Sequence, residues 1–207
     1  ANLPCSIGVK TLCLSKDGRL LVISFDNSDK SRNLLVWDLV NNNRSQIIHT
    51  HADKIQCIGI SPDGKMIATG SKDNTIKLFE TRYFNELRSL PGGHTDDITS
   101  LKFSPDNNFL LSGSKDKTMI LWDLTNNSIL STLTGHTKKI NSVNFSPDGK
   151  LVASGSDDKL ILVYDIYNPQ KPLYTLTGHD EAVTSIEFTP DGRFLGSGSN
   201  DHTIQLW

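Results

Sequence analysis

Residues 93–123, GHTDDITSLKFSPDNNFLLSGSKDKTMILWD, contain the pattern that decides the fold. The stretch reads as a Gly-His pair, an apolar strand, a Pro-Asp turn, a strand ending in Ser-Gly-Ser, an Asp-containing turn and a strand ending in Trp-Asp. Residues 135–165 and 178–207 repeat this order, residues 50–80 carry a weaker copy and residues 9–38 a degenerate one. Self-similarity at a fixed period indicates a repeat architecture in which each copy is one supersecondary unit.

Two sets of positions give the period of the repeat. The opening histidines are 43, 42 and 43 residues apart: His51, His94, His136 and His179. The closing aromatic residues are 42, 43, 42 and 43 residues apart: Trp37, Phe79, Trp122, Tyr164 and Trp207. This period, with Gly-His at the start and Trp-Asp at the end, resembles the WD-repeat family of β-propellers over nearly the whole chain.

The resemblance implies an all-β propeller whose blades each contain four strands, a to d, in chain order. The expected blades of this single domain, residues 1–207, cover residues 9–50, 51–93, 94–135, 136–178 and 179–207. The last blade has no outer strand of its own, so we expect the chain to be part of a ring of about seven blades. Strand a has apolar residues at its first, fourth and sixth positions, as in 98–103, which departs from the strand period of two and predicts a bulge.

The composition argues against several functional classes. The net charge is −2 and both signs are scattered along the chain, so direct binding of nucleic acid or of a membrane is not expected. No apolar run is long enough for a membrane span, and no signal-peptide pattern occurs. The three cysteines, Cys5, Cys13 and Cys57, share no metal-ligand spacing, which predicts reduced thiols in an intracellular protein, cytoplasmic or nuclear.

Four copies carry a His, a hydroxyl residue, an Asp and an aromatic residue at fixed offsets. These sets are His94, Ser112, Asp116 and Trp122; His136, Ser154, Asp158 and Tyr164; His179, Ser197, Asp201 and Trp207; and His51, Thr69, Asp73 and Phe79. A hydrolase needs one Ser–His–Asp set in a pocket with an oxyanion hole, whereas here the set recurs at the blade period with its Ser inside a strand. We therefore predict no catalytic residue and no enzymatic activity. We also expect no cofactor, and no metal site because the histidines belong to different blades.

The resemblance implies that each set forms a buried chain of hydrogen bonds, from the Trp indole to the Ser, from the Ser to the His and from the His to the Asp. Phe79 cannot donate a hydrogen bond and Tyr164 donates from a different position, which predicts incomplete chains in blades two and four. Blade one departs further, since Ile23 and Asn27 stand in place of the Ser and the Asp.

The resemblance also implies where partners bind. One rim of a propeller, here called the platform rim, consists of the d–a and b–c loops; the other, the turn rim, consists of the a–b and c–d connections. WD-repeat proteins mostly bind peptides and proteins on the platform rim, through residues three and five after the His and the residue before the Asp. Carried over to this chain, these positions are Lys54, Gln56 and Lys72; Asp97, Thr99 and Lys115; Lys139, Asn141 and Asp157; Ala182, Thr184 and Asn200; and, in blade one, Gly8 and Lys10. Lysines outnumber acids five to two among them, which predicts a mildly basic rim, although a simply solvated rim is the alternative for any single lysine.

These observations favour a non-enzymatic protein–protein interaction scaffold within a multiprotein assembly. Residues 79–82, FETR, approximate the Trp-Asp-x-Arg pattern with which some WD-repeat proteins bind a cullin-type ubiquitin-ligase adaptor, so a substrate receptor is an alternative. A nucleic-acid- or nucleosome-associated subunit is another. The b–c loop of blade one, residues 24–33, makes the stretch from Ser15 to Trp37 four residues longer than its counterparts, as either a tolerated insertion or a binding loop.

Overall fold

The computed structural model of the protein describes residues 8–25, 33–41, 43–49, 51–90 and 92–207. All nineteen regular elements in these ranges are β-strands, as the repeat pattern predicts. No helix that could cross a membrane occurs in them.

The strands form five antiparallel sheets that follow one another along the chain and are the blades of the fold. Blade one contains β1 (Val9–Leu14), β2 (Leu20–Phe25), β3 (Asn33–Asp38) and β4 (Asn43–His49). Blade two contains β5 (Ile55–Ile60), β6 (Met66–Ser71), β7 (Ile76–Glu80) and β8 (Glu86–Ser89). Blade three contains β9 (Ile98–Phe103), β10 (Phe109–Ser114), β11 (Met119–Asp123) and β12 (Ser128–Leu133). Blade four contains β13 (Ile140–Phe145), β14 (Leu151–Ser156), β15 (Ile161–Asp165) and β16 (Tyr174–Leu176), and blade five contains β17 (Val183–Phe188), β18 (Leu195–Ser199) and β19 (Ile204–Leu206).

The hydrophobic core lies between blades. Strand a of each blade packs against strand a of the next, from β1 to β5, β9, β13 and β17. One buried cluster joins Ala68 and Leu78 of blade two to Leu101 and Trp122 of blade three, and similar clusters fill the other three interfaces. In blade three, strand c is covered on both faces, so β11 has a continuous run of buried apolar residues.

The small residues at the end of strand b permit this close packing. A Cβ atom placed on Gly113 would lie 2.7 Å from Cγ2 of Ile140, and one on Gly155 would lie 2.6 Å from Cγ1 of Val183. Any side chain there would push the neighbouring blade away. The Ser-Gly-Ser motif is therefore a packing requirement of the interface between blades.

The predicted bulge is present in all five blades, as a register shift between strands a and b near the start of strand a. The a–b turns also follow their sequence. Asn107 has a φ of 64°, and the carboxylate of Asp106 accepts a hydrogen bond from the backbone N–H of Asn108 at 3.1 Å. The buried Ser104 adds a contact that the turn motif does not reveal, because its Oγ donates to Asp106 and accepts from the backbone N–H of Phe109.

Candidate functional site

The structure places the four residues of the blade-three set in one hydrogen-bonded chain. Trp122 Nε1 donates to Ser112 Oγ at 2.8 Å, Ser112 Oγ lies 2.7 Å from His94 Nε2, and His94 Nδ1 lies 2.8 Å from Asp116 Oδ2. An indole N–H can only donate, so Ser112 Oγ accepts from Trp122, and its own hydrogen lies within reach of His94 Nε2 and of the carbonyl of Ile120 at 3.4 Å. The ionised carboxylate of Asp116 can only accept. His94 therefore carries its own proton on Nδ1, from which it donates to Asp116.

Blade five repeats this chain, whereas blades two and four contain only part of it. In blade five, Trp207 Nε1 donates to Ser197 Oγ at 2.9 Å. In blade two, His51 contacts Thr69 and Asp73, but Phe79 offers no donor. In blade four, His136 contacts Ser154 and Asp158, while Tyr164 Oη donates to the backbone carbonyl of Thr134 at 2.5 Å. In blade one, Ile23 is buried and Asn27 lies outside the described residues.

A Thr hydroxyl that the four-residue pattern did not include joins three of these sets. Thr75, Thr118 and Thr203 each stand two residues after the Asp and donate to its carboxylate at 2.5, 2.7 and 2.6 Å. Blade four has Leu160 at this position. The recurrence of Thr at the same offset in three copies was the signal that could have revealed it.

The Asp of each set also holds the platform rim together. Asp116 Oδ2 accepts from the backbone N–H of Thr95 in the d–a loop at 3.0 Å, and its Oδ1 accepts from the backbone N–H of Thr118 at 2.9 Å. Equivalent bonds join Asp73 to Ala52, Asp158 to Thr137 and Asp201 to Asp180. In each of blades two to five, one carboxylate therefore fixes the d–a loop to the b–c turn.

The protonation states agree with a structural role. Burial opposes the ionisation of Asp116, but hydrogen bonds from His94, Thr118 and Thr95 outweigh it and hold the pKa of this carboxyl well below its usual value. Burial lowers the pKa of His51 and of His136 despite the adjacent carboxylates, so both rings are neutral at pH 7. Ser112 and Ser154 are fully buried, out of reach of a substrate. Nothing in the described part of the chain indicates catalytic activity.

On the platform rim, backbone hydrogen bonds join the predicted contact positions in pairs. In four blades, the residue before the Asp donates its backbone N–H to the carbonyl of the residue three after the His. The pairs are Lys72 with Lys54 at 2.9 Å, Lys115 with Asp97 at 3.0 Å, Asp157 with Lys139 at 3.1 Å and Asn200 with Ala182 at 3.0 Å. The rim therefore presents the same two adjacent side-chain positions on each of these blades.

Several of these side chains bond to one another. Lys115 Nζ lies 2.5 Å from Asp97 Oδ2, and this hydrogen bond raises the pKa of Lys115. Lys139 Nζ lies 3.7 Å from Asp157 Oδ2, and Asn141 Nδ2 donates to Asp157 Oδ1 at 2.7 Å. Both acids of the predicted set are thus paired with a lysine of their own blade. The other lysines of the set, Lys10, Lys54 and Lys72, lie on blades one and two.

The position five residues after the His also connects neighbouring blades. Thr99 Oγ1 donates to the carbonyl of Ile140 at 2.6 Å, and Asn141 Nδ2 donates to that of Val183 at 2.8 Å. Thr184 Oγ1 donates at 3.1 Å to the carbonyl of Gly198 in its own blade. Gln56 occupies the same position in blade two and is half-buried. Thr99 and Asn141 therefore hold blades together as well as bordering the platform rim.

The remaining candidate features lie elsewhere. Residues 26–32 of the long b–c loop are outside the described residues. On the turn rim, the exposed Arg82 of the FETR stretch has its guanidinium 5.1 Å from the ring centroid of Tyr83. Cys13 and Cys57 are free thiols, whereas Cys5 lies in the part not described. Across the described ranges, no group of three or more His, Cys, Asp or Glu side chains could hold a metal ion.

Comparison with known proteins identifies the repeat. The family model "WD domain, G-beta repeat" matches residues 42–80, 84–123, 127–165 and 170–207, well over half of the chain. Each match runs from the outer strand of one blade to strand c of the next, so a sequence repeat joins two neighbouring blades.

Two curated relatives are guanine nucleotide-binding protein G(I)/G(S)/G(T) subunit beta-1 of Homarus americanus and guanine nucleotide-binding protein subunit beta of Lymnaea stagnalis. Each is 32% identical to this chain over 78 residues, which is 38% of this chain and 21% of the relative. The match thus spans about a fifth of the length of these relatives. The chain belongs to the WD-repeat family, whose general function is that of a protein-interaction scaffold.

Proposed function

We propose that this protein is a non-enzymatic scaffold within a multiprotein assembly and that it binds its partners on the platform rim. The observation that carries the proposal is the backbone pairing of the contact positions in blades two to five. The Asp of each hydrogen-bonded set fixes the loops that bear these positions. A rim that is rigid before binding loses little conformational entropy when a partner docks. The relatives are themselves subunits by name, which supports a place in an assembly.

The charge distribution indicates the chemistry of the partner. Lys115 and Lys139 are paired with acids of their own blades, while Lys10 and Lys72 are exposed and come from blades one and two. A partner segment with acidic side chains would meet complementary charge at this end of the platform rim. We therefore expect the first contacts of an acidic partner to be with blades one and two.

A paired set of charge reversals tests this proposal. The double variant Lys10→Glu, Lys72→Glu reverses charge on the platform rim without disturbing the Lys115–Asp97 ion pair. The matched control, Lys65→Glu, Lys150→Glu, makes the same change of charge on the turn rim, where both lysines are exposed. Proteins that co-purify with the wild-type chain are quantified by mass spectrometry for each variant, and thermal unfolding checks that the fold is intact.

We expect the platform variant to lose a set of co-purifying proteins by about tenfold or more, and the control to retain them. Retention of every partner by the platform variant would contradict the placement on this rim. Equal losses in both variants would show that net charge, and not the platform rim, governs the association.

We also propose a cytoplasmic location, with the nucleus as the alternative. The support comes from the thiols, because Cys13 and Cys57 are unpaired and burial raises the pKa of both groups. A protein kept in a reducing compartment has no need of disulfide bonds. Imaging of the tagged chain in intact cells tests this location, and secretion into the medium would contradict it.

A further inference from the structure

The a–b turns on the turn rim form an arc in which those of blades two to five touch their neighbours. The backbone N–H of Asp63 donates to Asn107 Oδ1 at 3.1 Å, which joins the turns of blades two and three. A Cβ on Gly149 would lie 3.6 Å from Cδ of Pro105, and one on Gly192 would lie 3.5 Å from Cδ of Pro147, so the turns of blades three to five also touch.

Blade one departs from this arrangement. Its turn carries Lys16 where the other turns carry Pro62, Pro105, Pro147 and Pro190. A Cβ on Gly64, the glycine that would face the missing proline, has no atom within 4 Å. The arc of turns therefore opens beside Lys16, which is exposed.

A funnel lies inside this arc and opens on the turn rim. Its volume is about 660 Å³, and all five blades contribute residues to its wall. This size is within the range of ordinary ligand pockets. Much of the wall is apolar: it includes Leu14, Ile60, Pro62, Phe188 and Pro190. Leu14 is 53% exposed, because it lies where the funnel meets the flank of blade one on which no other described blade packs.

One position of strand a lines the funnel in all five blades, and three of the residues at this position are polar. The next-to-last residue of strand a faces the funnel in every blade: Cys13, Gly59, Lys102, Asn144 and Glu187. Lys102 Nζ lies 3.2 Å from Glu187 Oε1, so this ion pair joins blade three to blade five past blade four. Both side chains remain partly exposed, at 42% and 70%. Gly59 contributes no side chain, which leaves space on the side of blade two.

We propose that this funnel is a second docking site, for a linear peptide segment of a partner protein with a large apolar side chain flanked by carboxylates. The apolar side chain would enter beside Gly59 and cover Leu14 and Phe188. The charged side chains of the wall are Lys16, Lys102 and Glu187, so the funnel carries a net positive charge that complements acidic flanks. This site lies on the rim opposite the platform rim and extends the proposed function to a second partner.

Two synthetic tripeptides test the chemistry of the site. Acetyl-Glu-Trp-Glu-amide has the proposed features, and acetyl-Lys-Trp-Lys-amide keeps the aromatic anchor but reverses the charge. Each is titrated into the ¹⁵N-labelled chain, and the backbone amide resonances are followed by NMR. We expect the acidic peptide to shift the amides of Leu14, Ile60 and Phe188 saturably, and the basic peptide to bind at least about fivefold more weakly.

Three variants locate the binding. Lys16→Glu should weaken binding of the acidic peptide about fivefold. Gly59→Val should remove it, because a Cβ at this position lies 3.6 Å from Cδ2 of Phe103 and fits, while the rest of the side chain fills the space proposed for the anchor. Lys150→Glu is the matched control: it makes the same charge change on the turn rim outside the funnel wall, and should leave binding unchanged.

Three results would overturn the proposal. The first is the absence of saturable shifts at the funnel, or their appearance at the platform rim. The second is equal affinity for the two peptides. The third is an equal effect of Lys16→Glu and Lys150→Glu, which would mean that the peptide responds only to the overall charge of the chain.

Discussion

Blades three and four contain the same His, Ser and Asp but differ in the two residues that hold them. In blade three, Trp122 donates to Ser112, and Thr118 donates to Asp116. In blade four, Tyr164 donates to a backbone carbonyl instead, and Leu160 stands in the place of Thr118. The recurrence of the motif therefore does not imply that its residues receive the same hydrogen bonds in each blade. The donors that surround it decide how much stability each copy contributes.

The carboxylates of Asp116 and Asp158 differ in the number of hydrogen bonds that they accept. Asp116 accepts hydrogen bonds from His94 Nδ1, from the backbone N–H of Thr95 and from both the backbone and the hydroxyl of Thr118. Asp158 accepts from His136 Nδ1 and from the backbone N–H groups of Thr137 and Leu160. Both side chains are largely buried, at 8% and 5% exposure, so a donor left without its carboxylate has little access to water.

The largest effect is expected when these carboxylates are removed. Asp116→Ala should lower the free energy of unfolding by about 3 kcal/mol and Asp158→Ala by about 2 kcal/mol, because more buried donors lose their acceptor in blade three. Urea unfolding of the two variants measures the difference.

Asp106→Ala is the control for this pair. Its carboxylate accepts from Ser104 and Asn108, but it lies in an exposed turn where water can replace it, so we expect a loss below about 1 kcal/mol. Equal unfolding midpoints for Asp116→Ala and Asp106→Ala would contradict the structural role of the hydrogen-bonded set.

A smaller difference is expected at the serines. Ser112→Ala removes the acceptor of the buried Trp122 indole as well as the donor to His94, and should cost about 2 kcal/mol. Ser154→Ala removes only the contact with His136 and should cost about 1 kcal/mol. The same urea experiment applies, with Trp122→Phe as a second background. If the indole bond matters, Ser112→Ala should cost less in the Trp122→Phe background than in the wild type.

Acidification should reduce the stability that the hydrogen-bonded sets contribute, first through their histidines and then through their aspartates. Burial lowers the pKa of His51 and of His136 in the folded state, so their contribution to stability is complete above about pH 6.5, the pKa of an unfolded histidine, and is lost as the pH falls below it. For Asp158, burial opposes ionisation but hydrogen bonds from Thr137 and His136 outweigh it, so its pKa is lowered. Its contribution is present above about pH 4 and is lost below that value.

Urea unfolding at pH 7, 5 and 3 measures both stages. NMR titration of the ring protons of His51 and His136 shows whether these groups protonate below the normal range. A free energy of unfolding that stays constant or rises between pH 7 and pH 5 would contradict the first stage.

The sequence predicts the blades well because each copy repeats the residues that make its turns and its close contacts. Asn107 and Gly113 are examples: the positive φ of its turn explains the first, and the close approach of Ile140 explains the second. The site is less predictable because its contacts join separate segments. The Lys115–Asp97 ion pair links a b–c turn to a d–a loop, and the bond from Thr99 to Ile140 crosses between blades. Neither contact leaves a pattern in the spacing of the residues.

The smallest expected effect is a gain in stability when blade four is given the hydroxyl group that Thr118 supplies in blade three. Leu160→Thr should let the new hydroxyl donate to Asp158 as Thr118 donates to Asp116, and such a bond to an ionised acceptor is stronger than a neutral one. Leu160→Val has nearly the same shape as the Thr variant without the hydroxyl, so comparing the two isolates the bond from the loss of leucine packing. We expect the Thr variant to be more stable than the Val variant by about 1 kcal/mol, and Thr118→Val to cost blade three a similar amount. A Val variant at position 160 that is as stable as the Thr variant would show that this hydroxyl does not distinguish the two blades, and would leave Trp122 as the cause of their difference.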